Sequence, residues 1–395
     1  MHPLCRVHRS SNTLRSTFPD AGAEPGLTGL RGNHSETSLV ENAEKKGISG
    51  ESGSRLIDRR ISVAPMMDWT DRHCRYFLRQ FSPSALLYSE MIHAAAILRG
   101  ARERLLKFSA EEQPLAIQLG GSDPAQLAAA ARIAVDLGYA EVNLNCGCPS
   151  DKVQAGSFGA CLMAQPALVA ECVAAMKAVV SVPVTVKLRV GIVSRGESDA
   201  VTAGAAAGRF DEDDWQSLSR FAAGLVAAGV DGLIVHARKA VLGGWSPHEN
   251  RSVPPLQFAV VERLRAALPG VPVVVNGGIR DATAALAALD RFDGIMIGRE
   301  AYHRPWLLWE IHQALHPGVV AAPSLQHILA AMAAYAAREQ QNGTRLHAIT
   351  RHMLGLLAGQ PGARELRSLL SAEVQRGVAA EEVFSRAKDI AAQAA

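Results

Sequence analysis

At 395 residues, 48% hydrophobic and 20% charged, the chain has room for one large folded domain and a smaller one. No apolar run approaches the ~20 residues that span a bilayer, because Arg132, Asp136, Glu171 and Lys177 interrupt the alanine-rich stretches. The six cysteines show no disulfide spacing, so a membrane span and a stapled secreted scaffold are both excluded, and a reducing cytoplasm is expected. A net charge of +3 says little about partners; the placement of the arginines says more.

Residues 1–57 are rich in Ser, Gly, Asn and Arg without apolar periodicity and read as a disordered extension. Arg6, Arg9 and Arg15 precede the first acid, a faint likeness to an organelle leader. From Ile61 onward, strand candidates recur at Ile61–Pro65, Ala85–Glu90, Leu115–Gly120, Glu141–Cys146, Val184–Val190, Gly232–Ala237, Val271–Asn276 and Gly294–Gly298. Helix-length runs such as Pro124–Leu137, Ala167–Val180 and Pro255–Leu268 separate them. Alternation of this kind predicts parallel strands joined by crossovers, and eight units predict a (β/α)8 TIM barrel over residues 58–316. An open dinucleotide-binding sheet is disfavoured, since no G-x-G-x-x-G follows the first strand. Residues 194–213 read as a solvated loop insertion. Past the Pro317–Pro323 linker the pattern is helical only, with Ser324–Gln341, Leu346–Leu357 and a third helix near Arg364 forming a small all-α domain over 324–395.

Barrels carry their chemistry at the C-terminal strand ends. Here those ends bear Met66-Met67-Asp68, Glu90, Gln118, Asn145 with Cys148, Lys187 with Arg189, His236 with Arg238, Asn276-Gly277-Gly278 and Gly298-Arg299. The last two groups end strands seven and eight, where barrels commonly hold phosphate: glycines admit backbone N–H groups and Arg299 adds charge. Lys187 reads as a core ion-pair partner, a Schiff-base nucleophile or a fixed cation beside a reduced flavin. His236 can donate to a cofactor, and the Gln118 amide suits an isoalloxazine edge. Cys146-Gly147-Cys148 has no second pair at zinc-like spacing, so no metal site is expected. A cysteine between Gly and Pro on an open loop suits a proton donor, whereas Cys74, Cys161 and Cys172 read as inert.

Three segments carry a family resemblance: Ala64-Pro65-Met66-Met67-Asp68-Trp69-Thr70-Asp71-Arg72, Asn143–Ser150, and Phe158-Gly159-Ala160-Cys161-Leu162-Met163. They resemble the tRNA-dihydrouridine synthases, nearest to the type acting on uridines 20 and 20a, with motifs in order from Arg60 to Ser371. The resemblance implies FMN contacts at Pro65, Met66, Met67, Gln118, Lys187, His236, Asn276, Gly277, Gly278, Gly298 and Arg299. It implies that Cys148, not Cys146, gives the proton to C5 of uracil while hydride from FMN, reduced by NADPH, reaches C6. It also implies tRNA D-loop contacts at Asn145, His248, Arg251, Arg364 and Arg367. His248 stands where the family usually has lysine, and the 1–57 extension and the 194–213 insertion have no counterpart in the family pattern.

Arg338, Arg345, Arg351, Arg364 and Arg367 recur in the helical region and fit a phosphate-gripping face. No obligate protein partner is implied. Three rival readings remain at this level: a flavin reductase of small molecules, an aldolase using Lys187, and an RNA-binding protein that has lost catalysis.

Overall fold

The structure is a computed structural model that describes residues 57–150, 156–193, 206–243, 245–318 and 321–394. Eight strands form one parallel sheet: β1 (Ile61–Val63), β2 (Leu87–His93), β3 (Leu115–Gly120), β4 (Glu141–Cys146), β5 (Val184–Arg189), β6 (Gly232–His236), β7 (Val273–Asn276) and β8 (Gly294–Ile297). Neighbours in sequence pair from β2 through β8, and β8 pairs with β1 in the register Ile61↔Ile295. A bridge between Ser62 and Leu86 closes the ring, with the Leu86 N–H donating to the Ile61 carbonyl at 3.0 Å. The expected (β/α)8 barrel is therefore present.

Strand alternation explains which side chains reach the interior. In β4, Val142, Leu144 and Cys146 face the surrounding helices, and Glu141, Asn143 and Asn145 occupy the opposite, inward positions. Other inward residues, among them Leu86, Tyr88, Ala116, Ile234, Val274 and Met296, form a separate apolar cluster inside the ring. Both faces of most strands are buried, as expected of a parallel sheet wrapped by helices.

The helices begin where the sequence supplies caps. Asp123, Asp281 and Ser324 each accept a backbone N–H of the first turn, and Asp211 forms a capping box with Asp214. Among the described residues, no helix is long and apolar enough to cross a membrane.

After β8 the chain forms Trp306–Leu315, Leu325–Gln341, Leu346–Thr350, Ala363–Ser368 and Ala380–Ala394. The helix expected through Leu357 stops at Thr350. Beyond that end, the chain crosses the helix Arg299–His303 at Gly355, where a Cβ would lie 2.3 Å from the His303 carbonyl oxygen, so only glycine fits. The 1–57 extension lies almost wholly outside the described residues, as does 194–205 of the insertion. Its described end is not all loop. Ala207 is buried against Val241, and Glu212 and Asp213 already belong to the helix Glu212–Ala227.

Asp71 joins the barrel to the helical region. Its Oδ1 caps the helix Arg72–Arg79 by accepting from the N–H groups of His73 and Cys74, each at 2.9 Å. Its Oδ2 accepts from Arg351 at 2.8 Å and from buried His352 at 3.0 Å. Burial alone would raise this carboxyl, but the His352 contact, the Cys74 N–H and Arg351 hold it well below the usual carboxylate range. A carboxyl depressed on folding stabilises the fold above its unfolded value and loses that contribution as pH falls towards the folded one. Asp71→Asn is therefore expected to cost about 2–4 kcal/mol at pH 7, with the deficit shrinking below about pH 4; urea unfolding of both proteins at pH 7 and pH 3 measures it.

Candidate active site at the C-terminal rim

Each side chain of the site stands at the end of a strand or on the turn that follows it, so register decides what meets. Asn145 lies opposite Lys187, Arg189 opposite His236, and His236 opposite Asn276. Lys187 Nζ donates to Asn276 Oδ1 at 3.0 Å, and Asn276 Nδ2 donates to the Met296 carbonyl at 2.8 Å. Gly277 and Gly278 both take positive φ, 108° and 77°. A Cβ on Gly277 would sit 2.9 Å from the His236 ring, and one on Gly278 only 2.6 Å from Leu256. Any larger residue would disturb the turn that carries β7 over His236. Gly298 faces Met66, whose sulfur lies 3.8 Å from where its Cβ would be, so the ends of β1 and β8 meet there. Pro65 and Met66 are half-buried, Met67 is 55% exposed and Arg299 is exposed. The residues named from sequence as cofactor contacts thus share one rim.

The rim is cationic without matching acids. Lys187, Arg189, Arg238, Arg251, Arg280 and Arg299 form no ion pair with a carboxylate among the described residues. Burial, reinforced by the neighbouring Arg189, lowers the Lys187 ammonium to about 7. Burial also drives His236 well below its ordinary value, reinforced by Arg189, Lys187, Arg238 and Arg251, so its ring is neutral at pH 7. Arg238 is lowered by burial and then by its like-charged neighbours Arg299 and Arg280. Crowded cations beside a turn with two residues of positive φ make a good seat for an anion.

The two cysteines of the C-x-C differ in access. Cys146 is fully buried and burial pushes its thiol up, while Cys148 is half-buried on the turn beyond it. The Cys148 N–H donates to Asn145 Oδ1 at 3.0 Å, and its carbonyl accepts from Ala160 at 2.8 Å. Of the three cysteines read as inert, Cys74 and Cys172 are buried and Cys161 is partly exposed, its thiol donating to the Phe158 carbonyl.

The positions named for tRNA fall into two settings. Asn145 is buried, and its amide is held by Gln118, Gly147 and Cys148. His248, Arg251, Arg364 and Arg367 are exposed, the last two on the helix Ala363–Ser368. Among the helical arginines, Arg351 is spent on Asp71, and Arg338 lies over Tyr76 and Tyr335 and pairs with Glu111 at 3.5 Å. Arg345, Arg364 and Arg367 have no acidic partner among the described residues.

Arg189 received no role from the sequence. It is 3% exposed and donates to the carbonyls of Gly147 at 3.1 Å and Asn250 at 2.9 Å, tying the Cys148 turn to the loop that carries His248 and Arg251. The signal was its parity with Thr185 and Lys187 along β5, which places all three on one face. Two cavities among the described residues, of about 470 Å³ beside Trp309 and about 980 Å³ around Arg59 and Pro272, are lined by no rim residue. The larger one lies at the end of the barrel opposite the chemistry.

A closed parallel barrel with a cysteine and an unpaired cation cluster at its C-terminal rim is an enzyme barrel. Residues 62–393 match the family model described as "Dihydrouridine synthase (Dus)". The chain is 49% identical over 352 residues to the tRNA-dihydrouridine(20/20a) synthase of Xylella fastidiosa (strain Temecula1), covering 89% of this chain and 98% of that one. It is 50% identical to the enzyme of that name from Xanthomonas campestris pv. campestris over 83% of this chain and 92% of that one, and 47% identical to that from Pseudomonas putida over 84% and 94%. The chain belongs to the dihydrouridine synthase family.

An ammonium with no acidic partner near it destabilises the protein that carries it. Lys187→Met is therefore expected to stabilise the cofactor-free protein at pH 7 by about 1–2 kcal/mol, read by urea unfolding. The gain should shrink as pH rises from 7 and vanish only above about pH 11, where the wild-type amine is neutral in both states.

Proposed function

We propose that the chain reduces uridine to 5,6-dihydrouridine in the D loop of tRNA, at positions 20 and 20a, with FMN as cofactor and NADPH as reductant. The observation that carries the reading is a half-buried Cys148 on a rim whose glycine turns and unpaired cations fit an anionic cofactor. The names of the curated relatives supply the substrate and the positions.

The donor set fits FMN. The Gly277-Gly278 turn and Arg299 would hold the phosphate, with Arg238 adding charge. Pro65, Met66 and Met67 would lie along the ring system, and Gln118 would meet its polar edge. Bound FMN would supply the hydride for C6 of the uracil ring. Lys187 would become fully charged beside an anionic ring, since an opposite charge reverses the effect of burial. Neutral His236 would offer one N–H. Cys148 would hold at Sγ the proton that C5 requires. Asn145 keeps one N–H for the uracil, since only its other N–H is given, to Gln118 Oε1, while its oxygen accepts from Gly147 and Cys148. A loop nucleotide leaves its stack at lower cost than one in a duplex, which suits a site deep in a rim.

The helical region, 324–395, would grip the tRNA backbone. Arg345, Arg364 and Arg367 are exposed and free of acidic partners among the described residues, and His248 and Arg251 extend the basic surface on the barrel side. Such an enzyme would work in the cytoplasm.

The test supplies the purified chain with FMN, NADPH and an unmodified tRNA transcript and maps dihydrouridine by mass spectrometry. Product at positions 20 and 20a is expected. Cys148→Ala should retain FMN and tRNA binding and lose about 10²–10⁴-fold in rate; full turnover in that variant would remove Cys148 from its role. Arg364→Ala with Arg367→Ala should weaken tRNA binding and lower the slope of log K against log salt by about 1–2, measured by filter binding at several ionic strengths.

A further inference from the structure

The barrel interior holds a chain of hydrogen bonds whose members all donate in one direction. The Asn145 Nδ2 donates to Gln118 Oε1 at 2.9 Å, and Gln118 Nε2 donates to Asn143 Oδ1 at 2.8 Å. Asn143 Nδ2 donates to the Thr185 hydroxyl at 2.9 Å, and that hydroxyl donates to Glu141 Oε1 at 2.6 Å. Glu141 also accepts from the Tyr88 hydroxyl at 2.6 Å and from Arg59 at 2.5 Å. Its side chain has no exposed surface, and Asn143 and Thr185 are likewise wholly buried.

Both ends of this chain can be oriented only one way. The Glu141 carboxylate, ion-paired with Arg59, offers only acceptor oxygens, so Thr185 must donate towards it and accept from Asn143. At the far end, the backbone N–H groups of Gly147 and Cys148, each at 3.0 Å, can only donate, so the Asn145 oxygen must face them. Between these ends the amides of Asn143, Gln118 and Asn145 have one arrangement that satisfies every contact. That arrangement leaves Asn143, Gln118 and Asn145 each with one N–H uncommitted among the described residues, Asn145 standing next to the Cys148 turn.

We propose that Glu141, Thr185 and Asn143 are positioning residues that fix the direction of this chain, and through it the turn carrying Cys148 and the polar face of Gln118. Their place in the catalytic reaction rests on the role of Cys148 proposed above; the structural coupling does not. Glu141 starts β4 and Cys148 lies beyond its end, so the coupling runs the length of the strand through side chains rather than along the backbone.

Amide hydrogen exchange in the cofactor-free, full-length chain tests the coupling without reference to tRNA. In the wild type, the amides of Gly147 and Cys148 are expected to exchange as slowly as the ladder amides of β4. Exchange at the rate of an open loop would overturn the proposal before any variant is made. Thr185→Val keeps the volume and removes the hydroxyl. It is expected to speed exchange at those two amides by about ten-fold with the ladder amides of β6 and β7 unchanged, and to lower kcat for dihydrouridine formation with KM for tRNA preserved. Thr185→Ser should restore both. Wild-type exchange at Gly147 and Cys148 in a folded Thr185→Val protein would refute the coupling, and equal losses in the Ser and Val variants would show that the hydroxyl is not the link. Normal coupling with no dihydrouridine formation by the wild type would instead sink the proposed function and leave the chain of contacts standing.

Discussion

Closing a parallel sheet into a barrel shuts water out of its lower interior, so each polar group there must find its partner within the ring. Glu141 states this constraint most sharply. It sits at the first position of β4 with no exposed surface, and it is held by Arg59 from the segment before β1, Tyr88 from β2 and Thr185 from β5. Three strands and the entry to a fourth therefore agree on register around one carboxylate. The amides of Asn143, Gln118 and Asn145 carry that agreement upward to the rim, where the apolar layer of Tyr88, Ala116, Ile234 and Met296 gives way to the site.

Polarity is arranged oppositely at the two ends of the barrel. Below, Glu141 is matched by Arg59, and the nearby Asp293 is matched by Arg265 at 2.8 Å. Above, Lys187, Arg189, Arg238 and Arg299 crowd together, and none of them is ion-paired with a carboxylate among the described residues. Matched charge holds a fold together, whereas unmatched charge leaves it less stable until an anion arrives. The rim therefore has the energetics of a binding site, and its cost is carried by the well-packed lower barrel and by the Asp71 junction with the helical region.

Much of this was legible in the sequence, for identifiable reasons. Strand-length apolar segments separated by helical runs gave the barrel, and Gly277-Gly278 and Arg299 stood out because few other roles need those residue types at those strand ends. What escaped depends on contacts between distant segments. Arg189 looked like a strand-end charge, yet it is a clamp on two backbone loops 42 and 61 residues away. Arg351 looked like one more phosphate contact among helical arginines, yet it is paired with Asp71, 280 residues earlier. The helix expected through Leu357 ends at Thr350, and helical pattern carries no word of the close crossing at Gly355 beyond it. Glu141 and Asn143 could be placed inward by alternation, but the direction of their hydrogen bonds appears only when β3, β4 and β5 stand side by side.

The measurement that bears most directly on the account is the fate of reduced flavin on the protein. The flavin-loaded chain would be reduced without oxygen, freed of excess reductant and mixed with unmodified tRNA, with the visible spectrum followed in time. The account predicts that the oxidised flavin spectrum returns in step with one dihydrouridine formed per flavin, and that tRNA already carrying dihydrouridine has no such effect. A flavin that stays reduced with unmodified tRNA, yet is promptly reoxidised by a small unsaturated carbonyl compound, would contradict it.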